Sequence, residues 1–432
     1  MKRFMVAILS FSFCLLFISC KNTPTEIVPT EKATAETVPT QLQGKDESVY
    51  TAEFDPETDF DNSLGWTFSS GRNIIETADA FYLLPLSSYI YYGDKATGEY
   101  APLCAKPECL HDEEEFNPSC NAFVGRLSLL SVNYYNGKLY YAKYTNPDYT
   151  LYRMDLDGSN HEAVLQLSCD HTKYGIMNAC IHRGRVYSSG FKDIVENGEP
   201  KQLSSVVCWD MQTGEFKVIF EEKNEYGGRL PMMFFYGKYV YICIESLRGR
   251  NVTPGVKILR WDTENELLEP VFDAGEEGIS GDLFSCWVVS EDEIYLTALF
   301  SGAEHSEFYR ISDGKITETF SFTKNGCAFM LDGAVLINGD IEGTDQRWAQ
   351  IMSFDGKMLF DSNIPLDVLN STMPASCDYD DIAFTSVHGD PEAFYFLYDC
   401  SRSRAGDARW LVRYDISSGT PEAAVVIFAT EK

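Results

Sequence analysis

Asn136-Gly137-Lys138-Leu139-Tyr140-Tyr141, followed by Leu151-Tyr152-Arg153-Met154-Asp155-Leu156-Asp157-Gly158-Ser159-Asn160, decides how the rest of the chain is read. Asn-Gly and Asp-Gly supply the positive φ angles that tight hairpins require, and the flanking apolar and aromatic residues suit strands. The unit reads as an apolar strand, a tight turn and a second strand rich in Tyr. A long loop follows, then a third strand ending in Asp, a Gly turn and a fourth strand.

The same unit recurs along the chain. Arg185-Val186-Tyr187 leads to Cys208-Trp209-Asp210-Met211-Gln212-Thr213-Gly214, and Lys238-Tyr239-Val240-Tyr241 leads to Leu259-Arg260-Trp261-Asp262. Glu293-Ile294-Tyr295-Leu296 leads to Phe308-Tyr309-Arg310-Ile311-Ser312-Asp313-Gly314. Asp332-Gly333-Ala334-Val335-Leu336 leads to Met352-Ser353-Phe354-Asp355-Gly356. Phe394-Tyr395-Phe396-Leu397 leads to Val412-Arg413-Tyr414-Asp415, and a degenerate first copy joins Phe81-Tyr82-Leu83 to Tyr91-Tyr92-Gly93-Asp94. A period of roughly 50 residues suits four-stranded blades. One blade cannot bury both faces, so blades stack around an axis and ring closure leaves only short edges. The expected fold is an all-β propeller of seven four-stranded blades over residues 49–432; the weak first and last copies leave six or eight open. A solenoid of β-hairpins is the rival architecture.

The stretch Leu151 to Asn160 resembles the strand-turn signature of TolB-like propellers and of lipoprotein-receptor-like propellers. That resemblance covers residues 72–429 as repeats, with the copy at 127–169 the tightest. It implies the fold and a bias toward binding, and it carries no active site across, because propellers host many unrelated functions.

The chain opens with Lys2 and Arg3 and an apolar run over residues 4–18 that is short for a membrane span, which reads as a secretory signal. Phe17-Ile18-Ser19-Cys20 resembles the bacterial lipobox, with Phe17 in place of the usual leucine. The expectation is a signal peptide over 1–19 and a lipidated Cys20. A disordered Thr/Pro/Glu tether over 20–48 would hold the propeller at the outer face of the cell membrane. Formal net charge is −30, and about −32 once the two basic residues of the signal are removed. So acidic a body repels nucleic acid and anionic head groups, which leaves the lipid as the only membrane contact.

One segment has metal-ligand spacing. Cys104-Ala105-Lys106-Pro107-Glu108-Cys109-Leu110-His111 is followed by Cys120, a C-x4-C-x-H-x8-C pattern. Thiolates and imidazole are the ligands of closed zinc sites, and Lys106-Pro107 would turn the chain so that they converge. One structural zinc is one reading; a disulfide between Cys120 and Cys104 or Cys109 is a second, since export meets an oxidising compartment, and a catalytic or redox role is a third. Thirteen cysteines, less Cys14 in the signal and Cys20 under lipid, leave eleven, so at least one stays outside any intramolecular disulfide. Cys208 and Cys243 fall in strand patterns and read as small buried hydrophobes. The Cys-x-Lys-Pro-x-Cys-x-His pattern is also similar to one in uncharacterised lipoprotein propellers of clostridia-like bacteria, which places the segment with this architecture.

No nucleophile elbow, His-Glu-x-x-His motif or phosphate-cradling glycine loop occurs. Asp155-Leu156-Asp157-Gly158 reads as a hairpin turn rather than a calcium fragment, and His388-Gly389-Asp390 as a solvated loop. The acidic runs 112–115 and Asp378-Tyr379-Asp380-Asp381 read as solvated loops, and Arg248 to Arg250 as a small basic island. The expected function is non-enzymatic binding or scaffolding of a protein or glycan partner. The alternatives are a carbohydrate-active hydrolase or lyase with acidic residues at the channel, and an accessory or sensor subunit of an envelope complex.

Overall fold

The computed structural model describes residues 50, 53–62 and 74–430, apart from 85–88, 112–116, 118, 126–127, 146–147, 168–173, 177, 197–198, 224–229, 247–254, 280–282, 300–303, 342–343, 376 and 401–407. The signal, Cys20 and the tether lie outside these residues, as do the acidic run 112–115 and the basic island 248–250.

Seven antiparallel sheets follow one another along the chain, each a meander in which sequence neighbours pair. They are blade 1 (residues 74–102), blade 2 (128–167), blade 3 (174–223), blade 4 (232–273), blade 5 (283–321), blade 6 (327–365) and blade 7 (383–430). Blade 3 carries a fifth strand, Tyr174–Ile176, on the same edge of Arg185–Glu196 that pairs with Cys180–His182, so its inner strand comes in two pieces. Two short 3-10 turns, Asp367–Ser371 and Tyr379–Asp381, lie between blades 6 and 7.

The recurring residues have local reasons. Asn136-Gly137, Arg183-Gly184 and Asp313-Gly314 each place two successive residues at positive φ, as the tightest hairpins demand. The Asp that ends the third strand caps the next turn: Asp210 Oδ1 accepts the N–H groups of Gln212 (2.9 Å) and Thr213 (2.7 Å), and Asp94 does the same for Ala96 and Thr97. The Tyr of the second strand sits opposite an Arg of the third in four blades: Tyr140 with Arg153, Tyr241 with Arg260, Tyr295 with Arg310 and Tyr395 with Arg413. In blades 2–7 the pairing of the third and fourth strands slips at one bulge, which sharpens the twist a propeller blade needs.

Seven apolar clusters coincide with the seven seams of the ring. Leu139, Tyr141 and Met154 of blade 2 meet Tyr82 and Ile75 of blade 1, and Leu165 and Leu167 of blade 2 meet Val186 and Trp209 of blade 3. The last seam joins Leu397, Leu411 and Ile427 of blade 7 to Ile74, Phe81 and Leu83 of blade 1. This closed circuit excludes the solenoid. Among the described residues, blade 1 uses only N-terminal strands and blade 7 only C-terminal ones. The two blades pack closely there; a Cβ on Gly93 would lie 2.9 Å from Ile427 Cγ1.

Residues 53–62 form a strap across the inner hairpin turns of blades 2, 3 and 4. The N–H groups of Asn136 and Arg183 donate to the carbonyls of Glu57 (2.7 Å) and Thr58 (2.9 Å), and Asn62 exchanges two hydrogen bonds with the backbone of Phe235. Asp59 takes a two-pronged bond from Arg183 at 2.6 and 2.9 Å, and Phe60 is buried in the seam between blades 3 and 4.

A candidate metal centre between the first two blades

The Cys/His segment leaves strand Tyr100–Pro102, the outer strand of blade 1. Its two ends are pinned on either side of Ile90: the Leu103 N–H donates to the Ile90 carbonyl (2.8 Å), and the Ile90 N–H donates to the Ala122 carbonyl (2.9 Å). Between those pins the chain turns at Pro107, with the Cys109 N–H on the Lys106 carbonyl, and again before Cys120, whose N–H meets the Asn117 carbonyl. Leu103, Cys120 and Ala122 are buried in the cluster that joins blades 1 and 2, with Cys104 and Cys109 packed against it.

These constraints bring the four predicted residues together. The ligand atoms of Cys104, Cys109, His111 and Cys120 all lie within 4.8 Å of one another. His111, held at a positive φ of 53°, places Nδ1 3.3 Å from the sulfurs of both Cys109 and Cys120. Bond lengths of about 2.3 Å to sulfur and about 2.0 Å to nitrogen in a tetrahedral zinc site put ligand atoms roughly 3.5–3.8 Å apart; the two His111 contacts at 3.3 Å lie near that range, and the whole set lies within 4.8 Å. Cys104, Cys109 and Cys120 are unpaired with one another in this structure.

The thiols differ. Burial pushes the Cys120 thiol up to about 12, with Cys104 and Cys109 beside it adding to the rise. Burial acts upward on Cys104 as well, but the N–H groups of Lys106 and Asn121 and the neighbouring thiols outweigh it and hold Cys104 below the ordinary thiol value. Backbone N–H groups aimed at sulfur are what a metal-bound thiolate needs in its surroundings. With four protein ligands in reach of one point, no position is left for a substrate, so the donor set suits a structural metal better than a catalytic one.

The remaining sequence candidates serve the fold. His388 is not in a solvated loop. It is buried in strand Ala383–Gly389 and stacks on Tyr395 with ring centroids 4.7 Å apart. Asp378 to Asp381 form a capped 3-10 turn, and 155–160 is a hairpin turn with Gly158 at φ 80°. Cys208 and Cys243 are buried in strands. Sequence reading missed the disulfide Cys377–Cys400, which ties the connector before blade 7 to the end of strand Ala393–Cys400. It also missed His161 and His182, which no local motif distinguishes.

In sequence the chain matches no family model and no curated protein. Its structural neighbours are β-propeller proteins. They include an oligogalacturonate lyase from Vibrio parahaemolyticus at 11% identity, covering 79% of this chain and 86% of that one with a TM-score of 0.43. An acylaminoacyl peptidase from Pyrococcus horikoshii matches at 12% identity over 85% of this chain and 54% of that one, TM-score 0.45. The propeller domain of the Trilobed protease from Pyrococcus furiosus matches at 12% identity over 68% and 91%, TM-score 0.36. The likeness extends to the propeller fold and no further.

Proposed function

We propose that the chain is a lipid-anchored, extracytoplasmic binding propeller, and that Cys104, Cys109, His111 and Cys120 hold one structural zinc. The supporting observation is the closed donor set: the one segment with chemistry-bearing spacing supplies four ligands within 4.8 Å and is built into a blade seam. A zinc there would add folding energy rather than turn over a substrate. The TolB-like resemblance agrees with a binding role, and the disulfide Cys377–Cys400 suits an oxidising compartment outside the membrane. In this reading Cys20 carries the lipid, residues 20–48 are the tether, and the partner is a protein or a glycan met by the propeller loops.

Two experiments test this. Mass spectrometry of the mature protein from its native membrane should show acylated Cys20 as the N-terminus, and Cys20→Ala should release the protein into the soluble fraction; an unmodified N-terminus overturns the anchor. Incubation with a panel of envelope and plant glycans, followed by product analysis, should recover any bound glycan intact. Shortened or unsaturated products would instead establish the hydrolase or lyase reading.

A further inference from the structure

A chain of hydrogen bonds runs from the core of blade 2 to the peptide that follows Cys120. The Tyr141 hydroxyl lies 2.9 Å from His161 Nδ1, and His161 Nε2 lies 2.8 Å from the Asn121 carbonyl and 2.9 Å from the Gly158 carbonyl. Two carbonyl acceptors at Nε2 require its proton there, which leaves Nδ1 to accept from the Tyr141 hydroxyl. The Asn121 carbonyl belongs to the same peptide group as the Ala122 N–H, which lies beside the Cys120 sulfur and favours its thiolate. A peptide group that accepts a hydrogen bond at its oxygen becomes a stronger donor at its nitrogen. One residue back, the Asn121 N–H favours the thiolate of Cys104, so the backbone that His161 grips neighbours two of the four cluster residues. Gly158 allows this approach: a Cβ there would lie 2.3 Å from the Leu103 carbonyl oxygen.

We propose that His161 is a positioning residue of the metal centre. Through the peptide joining Asn121 to Ala122 it orients the N–H beside the Cys120 sulfur, and through Gly158 it fixes the blade 2 turn against the segment. This rests on the reading that the four residues hold a metal. His161 is not a ligand. Outer-sphere partners of this kind typically change metal affinity 10–100-fold, and because His161 is exposed on its outer side the lower end, about tenfold, is expected.

The test uses cobalt(II) as the probe on the full chain, titrated against a competing chelator and read by the sulfur-to-cobalt charge-transfer band. Wild type should bind one cobalt with that band. His161→Leu should weaken binding about tenfold and shift the band, whereas His161→Gln, whose carboxamide N–H can still reach the Asn121 carbonyl, should recover most of the affinity. Tyr141→Phe keeps the ring, removes the hydroxyl and should weaken binding in the same direction by less. It carries the test if circular dichroism shows His161→Leu unfolded. A wild-type protein without the charge-transfer band overturns the metal reading itself. Wild-type binding with an unchanged band and affinity in His161→Leu, or in Tyr141→Phe where the first variant is unfolded, overturns the positioning role while leaving the centre standing.

Discussion

The Nδ1 of His182 accepts the backbone N–H of Phe60 at 3.0 Å, across 122 residues of sequence, while its Nε2 donates to the Gly237 carbonyl at 2.8 Å. One buried imidazole thus joins the N-terminal strap to blades 3 and 4, and it can do so only as the neutral tautomer with its proton on Nε2.

That bond makes stability pH-dependent. Burial lowers the His182 pKa from 6.5 to about 4, with Asp59 nearby opposing the shift. The unfolded chain therefore binds more protons than the folded one between those values. The stabilisation is complete above about pH 6.5 and is lost as pH falls toward 4; the gap corresponds to about 3 kcal/mol. Denaturant unfolding from pH 7 to 5 should show stability falling, and His182→Gln should flatten that limb. An identical slope in the variant would contradict the assignment.

Phe60 anchors the strap by packing 4.8 Å, centroid to centroid, from Phe235. Phe60→Ala should cost about 3 kcal/mol of strap docking. The loss should appear first as faster amide exchange at Asn136 and Arg183, whose N–H groups the strap carbonyls hold, before global unfolding changes. Protection unchanged at both amides would show that the strap does not depend on this side chain.

Gly158 and Gly137 separate crowding from turn strain. Both have positive φ, 80° and 71°, but a Cβ on Gly158 meets the Leu103 carbonyl at 2.3 Å whereas one on Gly137 meets nothing within 4 Å. Gly137→Ala should cost about 1 kcal/mol from strain alone. Gly158→Ala should cost clearly more in thermal unfolding and should loosen the Cys/His segment; equal costs would refute the close approach.

Cys377 and Cys400 are 23 residues apart in sequence and joined. Replacing both by serine should remove about 2–4 kcal/mol. Reductant should bring wild type to the level of the double variant and leave the variant unmoved. Two extra reactive thiols in the untreated protein would rule the bond out.

Local turn chemistry made the blades legible. Asn136-Gly137 and the Asp at or within each third turn act within a few residues, so the pattern survives in sequence, and seven copies became seven seams. Blade 1 read as degenerate because its strands are only three or four residues long. The spacing of Cys104, Cys109, His111 and Cys120 marked them as candidates for one cluster. That their ligand atoms come within 4.8 Å of one another was not legible, because it depends on Ile90 holding both ends of the segment. His388 misled for the opposite reason: Gly389-Asp390 looks like a loop, yet the strand runs through Gly389 and ring stacking on Tyr395 buries the imidazole. The strap and His161 act through contacts remote in sequence, where neither periodicity nor motif reaches.

Metal analysis of the purified full chain by mass spectrometry, with thiol counting under denaturing conditions, tests the structural-zinc reading most directly. One zinc per chain is expected, lost together with thermal stability in Cys109→Ser or His111→Ala. No bound metal, with two thiols of the Cys104, Cys109 and Cys120 set missing from the count, would show a disulfide staple in its place.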